Sequence, residues 1–231
     1  MATEKQRQKI ISAFMAELAT NRWQAIGLDR IADAAGLSLA QLRGAYADKA
    51  AIIADFAARI DQAVLDGHDP NMAGEPVKDR LFDVLMRRFD ALAPHKVAIK
   101  GLVASVRRDP ALALMLNRVA VGSQRWMLAA AGLDHSGLEG RIRAQALALA
   151  FAHVLETWID DDAEGWPKTL AELDRVLARL DRLARVAEQL RGFLAPLKAR
   201  VDDACARRRA DAAPPPPADA PPPETTAASI H

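Results

Sequence analysis

Apolar residues recur every three or four positions along nearly the whole chain, the period of an amphipathic helix, and no segment shows the strict alternation of a strand. Ile10, Ile11, Phe14, Met15 and Leu18 share one helical face and predict a first helix. A short second helix is expected over 28–35, ended by Gly36 where a left-handed cap belongs. Ser38 offers a capping oxygen to a third helix over 39–46. Asp48 caps a fourth, which carries Ile52, Ile53, Phe56, Ile60, Val64 and Leu65. The stretch 67–76, with prolines at 70 and 76 and glycines at 67 and 74, reads as a loop and a domain boundary.

Beyond it, Leu81, Val84, Leu85, Phe89 and Leu92 line one side of a helix over 77–92, and Pro94 interrupts. A shorter helix follows over 95–106. Pro110 suits the first turn of the next, which reaches 131. The segment 132–137 is a turn, and 138–160 is the longest uninterrupted apolar-rich helix. The chain restarts at Trp166 and Pro167 with a stripe of Leu170, Leu173, Leu177 and Leu180. That stripe continues through Leu183, Ala187, Leu190 and Leu194 and weakens at Pro196. The prolines at 214–217 and 221–223 give a disordered or polyproline tail. The expected fold is all-α, with about nine helices. An N-terminal three-helix helix-turn-helix domain occupies 1–66, a C-terminal helical bundle 76–195, and a largely disordered tail 196–231.

Half of the 231 residues are hydrophobic, enough for a sizeable core, and the formal charge is only +1. No global basic field announces a nucleic-acid partner, so any such affinity must be local. The single cysteine, Cys205, excludes an intrachain disulfide framework and multi-cysteine zinc patterns, and fits a reducing compartment. Neither a leader peptide nor an apolar run of the ~18 residues that a membrane span needs is seen, so a cytoplasmic location is expected. Asp160, Asp161, Asp162 and Glu164 crowd after a helix and read as its solvated end. His68, His95, His135 and His231 are too scattered for a ligand set. No metal or cofactor is expected. No nucleophile–base pair, phosphate-cradling glycine loop or paired carboxylate appears, so an enzyme is not expected either.

The informative segment is LDRIADAAGLSLAQLRGAYADK, residues 28–49: two short helices joined by a tight turn, a helix-turn-helix. Ala32 and Ala35 are small where two helices cross, while Leu37, Leu42 and Tyr46 pack the second helix onto the first. Leu39, Ala40, Gln41, Arg43 and Gly44 then point outward, toward a major groove if DNA is the partner. Gln41 can pair bidentately with adenine, and Arg43 with guanine or a phosphate. Residues 10–56 resemble the DNA-binding domain of the tetracycline-repressor (TetR) family. They share the apolar first helix, the I-A-x-x-A-G-x-S core at 31–38, the aromatic at Tyr46 and the lysine at Lys49. The resemblance implies that Lys49 opens the fourth helix and binds a phosphate, and that Ser38, Leu39, Ala40, Gln41, Arg43, Gly44, Tyr46 and Lys49 form the DNA-contacting set. Three positions depart from the family's pattern. Gly27 stands for a threonine, Arg43 for a phosphate-holding tyrosine, and Ala45 for an aromatic.

Residues 154–180 resemble the last two helices of the same family, which implies a homodimer through segments 138–160 and 167–190. The same stretch is similar to the lipid-binding accessory proteins of ubiquinone biosynthesis, which share that fold without binding DNA. Met86, Phe89, Met115, Trp126 and Phe151, with Arg118 and His153 for a ligand's polar end, are the candidate walls of an apolar pocket between helices. Two functions follow as expectations. One is a repressor released from its double-stranded operator by a small apolar ligand. The other is an apolar-ligand or isoprenoid carrier with a vestigial helix-turn-helix.

Overall fold

The computed structural model describes residues 2–67 and 69–211, and among them it holds nine α-helices and no strand. They are α1 Glu4–Thr20, α2 Leu28–Ala35, α3 Leu39–Ala45, α4 Lys49–Asp66, α5 Val77–Leu92, α6 Lys96–Val106, α7 Pro110–Ala130, α8 Gly137–Trp158 and α9 Pro167–Asp211. The helix starts follow local chemistry. Thr3 and Ser38 close capping boxes with Gln6 and Gln41, and Asp48 and Asp109 accept from backbone N–H groups of α4 and α7. No helix among the described residues is long and apolar enough to cross a membrane.

Helices α1–α4 enclose a core of Ile10, Phe14, Leu18, Ile31, Leu42, Ile52 and Phe56. That core is continuous with the one beneath α5–α8, so residues up to Arg182 pack as one unit. α1 lies along α6, and α4 along α5 and α7. Gly101 permits the first of these contacts: a Cβ there would meet the carbonyl oxygen of Leu18 at 2.2 Å. A buried polar knot fastens α4 to the body. Asp61 accepts from Arg88 of α5 and from the Ser123 hydroxyl of α7, and all three side chains are buried.

From Leu183 the chain forms a second unit, which to Asp211 is helix α9. Helix α9 thus runs through residue 196, from which a largely disordered tail is expected. Pro196 removes one backbone donor, but Ala, Leu, Arg and Lys on both sides favour helix strongly enough to carry it through. The side chain of Cys205 and the proline-rich segment at 214–223 lie outside the described residues.

The acidic group after α8 is a structural joint. Asp161 is buried and its Oδ2 accepts from the N–H and hydroxyl of Thr169, each at 2.9 Å, at the start of α9. Asp160 pairs with Lys100 and Asp162 with Lys96, at 2.6 and 3.0 Å.

Candidate nucleic-acid interface

α2 ends because Gly36 adopts the left-handed conformation, φ +64°, where any other residue is strained by about 1–2 kcal/mol. The N–H of Leu37 then bonds back to the Ala32 carbonyl at 2.9 Å, which sets the angle between α2 and α3. Leu42 and Tyr46 turn inward onto the core. Leu39, Ala40, Gln41, Arg43 and Gly44 form the exposed face, with Leu39 54 % exposed. Among the described residues nothing covers the large apolar side chain that opens this face.

The eight expected contact residues divide into two groups. Leu39, Ala40, Arg43 and Gly44 stand free on the surface of α3. Arg43 has no ion-pair or hydrogen-bond partner among the described residues, and a Cβ placed on Gly44 would meet nothing within 4 Å. A glycine inside an exposed helix costs about 0.5–1 kcal/mol, and nothing in the chain requires this one.

The other four are engaged internally. The Gln41 side chain accepts from the Ser38 N–H at 2.9 Å, while the Ser38 hydroxyl accepts from the Gln41 N–H at 3.2 Å. Both residues thus close the start of α3, and Gln41 must leave that box to read a base. The Tyr46 hydroxyl donates to Asp55 of α4, and the Arg7 guanidinium lies 5.1 Å from its ring centre. Burial and the bond to the Asp55 carboxylate push the Tyr46 hydroxyl up to about 12. Burial alone would raise Asp55. The Tyr46 hydroxyl and the charges of Arg59 and Arg7 outweigh it and hold the carboxyl below its ordinary value.

Lys49, expected to meet a phosphate, is turned into the chain. Its ammonium donates to the carbonyls of Trp23 and Ile26, at 2.8 and 2.9 Å, and lies 4.7 Å from the Trp23 ring centre. The physical reason is position. The start of α4 sits against the turn Trp23–Ala25 and the Ile26 that follows it, and partial burial lowers the lysine's pKa. Trp23 and Asp55 were invisible as site residues in the sequence, because neither belongs to the periodic pattern of the motif. At the start of α2, Gly27 supplies no side-chain cap, and the Asp29 carboxylate occupies the space its Cβ would take.

Of the seven expected pocket residues, Phe89 and Phe151 are brought into direct contact. Phe89 and Phe151 stack in the core with ring centres 4.8 Å apart, and Trp158 closes on Phe89 at 5.5 Å. Met86 and Met115 are half-buried. Arg118 and Trp126 are exposed, Trp126 at 58 %. His153 is also exposed and pairs with Glu172 at 3.1 Å. Helical spacing places Phe89 inward, but whether such residues line a void or fill one depends on how far the partner helices approach. Here Phe89 and Phe151 meet as a stack between α5 and α8.

No family model matches the sequence, and no curated protein matches it. Solved structures do match the fold. A TetR transcriptional regulator from Nitrosomonas europaea superposes with a TM-score of 0.59 at 19 % identity, covering 76 % of this chain and 98 % of that one. A TetR transcriptional regulator from Rhodococcus sp. RHA1 gives 0.54 at 17 %, covering 77 % and 96 %. A TetR-family transcriptional regulator from Streptomyces coelicolor gives 0.54 at 18 %, covering 90 % and 100 %. The fold is therefore the all-α architecture of TetR transcriptional regulators, with the helix-turn-helix at α2–α3.

Proposed function

We propose that this chain is a TetR-type transcriptional regulator, a homodimeric repressor that docks α3 in the major groove and leaves DNA when a small apolar ligand enters the body. The carrying observation is the state of α3. Its ends are capped, Leu42 and Tyr46 anchor it, and its whole outer face, including the unpaired Arg43, is open. A rigid, short, small-residue helix can approach base edges closely. Likeness to solved TetR regulators supports the reading. Dimerisation is supported by Leu138, Ile142 and Leu149, which leave one stripe of α8 exposed; on α9, Leu183 and Val186 are exposed as well. In this reading the ligand would part the Phe89–Phe151 stack between α5 and α8, and its effect depends only on different affinity for the two resulting states.

The test is fluorescence anisotropy with a duplex from upstream of the protein's own gene, against a scrambled duplex, at two salt concentrations. The expected result is at least about tenfold preference for the native duplex and a salt-dependent affinity. Arg43→Ala should weaken binding by about 1–3 kcal/mol without changing the melting temperature. Equal affinity for both duplexes would reject the regulator. The internal engagement of Gln41 and Lys49 favours one second reading, a carrier of apolar or isoprenoid molecules that has left DNA. Native mass spectrometry of gently extracted protein separates the two: a co-purifying lipid without DNA binding supports the carrier.

A further inference from the structure

The turn Trp23–Ala25 and the loop between α6 and α7 enclose a cleft of ≈ 910 Å³, lined by Arg22, Gln24, Ala25, Ala104, Ser105, Arg107, Arg108 and Asp109. We infer that this cleft is a binding site for a compact, multiply charged anion carrying phosphate or carboxylate groups. None of the lining residues belongs to α3, and the proposal stands whether or not α3 binds DNA.

Charge is the first argument. Three guanidiniums face one carboxylate. Asp109 is already committed: Oδ1 accepts from the Leu112 N–H and Oδ2 from the Gln24 amide, both at 2.9 Å, and these bonds keep it ionised well below the usual carboxylate range. Its charge therefore serves the start of α7 rather than the arginines. Arg107 reaches Glu156 at 3.3 Å, but both are more than half exposed, and such pairs are weak. The guanidiniums of Arg22 and Arg108 have no ion-pair or hydrogen-bond partner among the described residues. Crowded guanidiniums repel one another, and their planar donor forks match phosphate and carboxylate oxygens.

Rigidity is the second argument. The two walls are tied before any ligand arrives. The Trp23 N–H donates to the Ser105 hydroxyl at 3.2 Å, that hydroxyl donates to the Gly101 carbonyl at 3.0 Å, and Gln24 bonds to Asp109. A preformed wall lowers the ordering cost of binding. Side-chain chemistry is the third. Apart from the methyls of Ala25 and Ala104, every lining side chain ends in a polar or charged group, which suits an anion better than a lipid chain. The anion would bridge Arg22, beside the helix-turn-helix, to Arg107 and Arg108 in the body.

The experiment is isothermal titration calorimetry of the full chain with inorganic pyrophosphate and with citrate, at constant ionic strength in chloride buffer. Arg22→Gln, Arg108→Gln and a control, Lys9→Gln, are compared. The expected result is saturable binding of one of these probes at one site per chain, weakened at least tenfold by each arginine variant and unchanged by Lys9→Gln. Melting curves of the unliganded variants, expected to overlay wild type, exclude misfolding. No saturable binding, or binding indifferent to both arginines, overturns the proposal. A duplex shares the phosphate chemistry, so DNA affinity is measured on the same proteins. If the arginine variants lose duplex affinity while wild type binds neither probe, the guanidiniums serve the DNA backbone and the small-anion site is rejected.

Discussion

Tyr46 is the only tyrosine in the chain, so its ionisation can be read without interference. Its hydroxyl is held protonated by burial and by the Asp55 carboxylate, toward about 12. In the unfolded chain it ionises near ~10. Between those values the unfolded state loses a proton that the folded state keeps, so stability falls as pH rises through this window. The expected tyrosinate absorbance titration of the folded protein has its midpoint near 12. A midpoint at the unfolded value would mean that the bond from α3's end to α4 is absent. Asp55 works in the opposite direction. Its depressed carboxyl adds stability above the ordinary carboxylate range, lost as pH falls through the folded value. At this scale the sequence identified Arg43 as a free cation and Gly36 as the turn. The family resemblance implied a phosphate contact for Lys49; its partners within the chain are backbone carbonyls, which leave no mark in a side-chain pattern.

At the scale of elements, the joint between α4 and the body is the Asp61–Arg88–Ser123 knot. Removing one member of a buried charge pair leaves the other uncompensated. Asp61→Ala should therefore cost about 3–5 kcal/mol in denaturant unfolding. Replacing both charges, as Asp61→Leu with Arg88→Met, should recover most of that loss, since an apolar pair of similar volume has no charge to desolvate. A loss below about 1 kcal/mol for the single variant would show that the knot is solvated. No periodicity could reveal this pairing, because α4, α5 and α7 meet only after folding. The helices themselves were legible: capping residues, proline at a first turn and a glycine stop act locally, so their signals survive in a single sequence. The walls of the expected apolar pocket are harder to read for the converse reason. Inward residues are readable, but the distance between their helices is not.

For the whole molecule, the exposed apolar stripe of α8 is the feature left unsatisfied. Ile142 is 60 % exposed and Leu149 61 %, on a helix whose other face is fully buried against Leu147, Phe151 and Trp158 neighbours. In the proposed dimer a charge on this stripe would be buried against its twin. Ile142→Glu with Leu149→Glu should convert a particle of twice the chain mass into a monomer by light scattering, with helix content unchanged. A wild-type monomer at micromolar concentration would remove the twin recognition helices that the regulator reading needs.

Taken alone, the order of residues was enough to settle which segments are helical, where all but the last of them stop, and that the second and third form a helix-turn-helix. Those outcomes depend on interactions reaching no further than about one helical turn. Packing across distant segments decided the rest: Lys49 donates to the Trp23 and Ile26 carbonyls, Tyr46 bonds to Asp55, Phe89 stacks on Phe151, and Arg22 meets Arg107 and Arg108 around one cleft. Each of these depends on which backbone surfaces come into contact, and contact between residues far apart in the chain exists only once the helices have assembled.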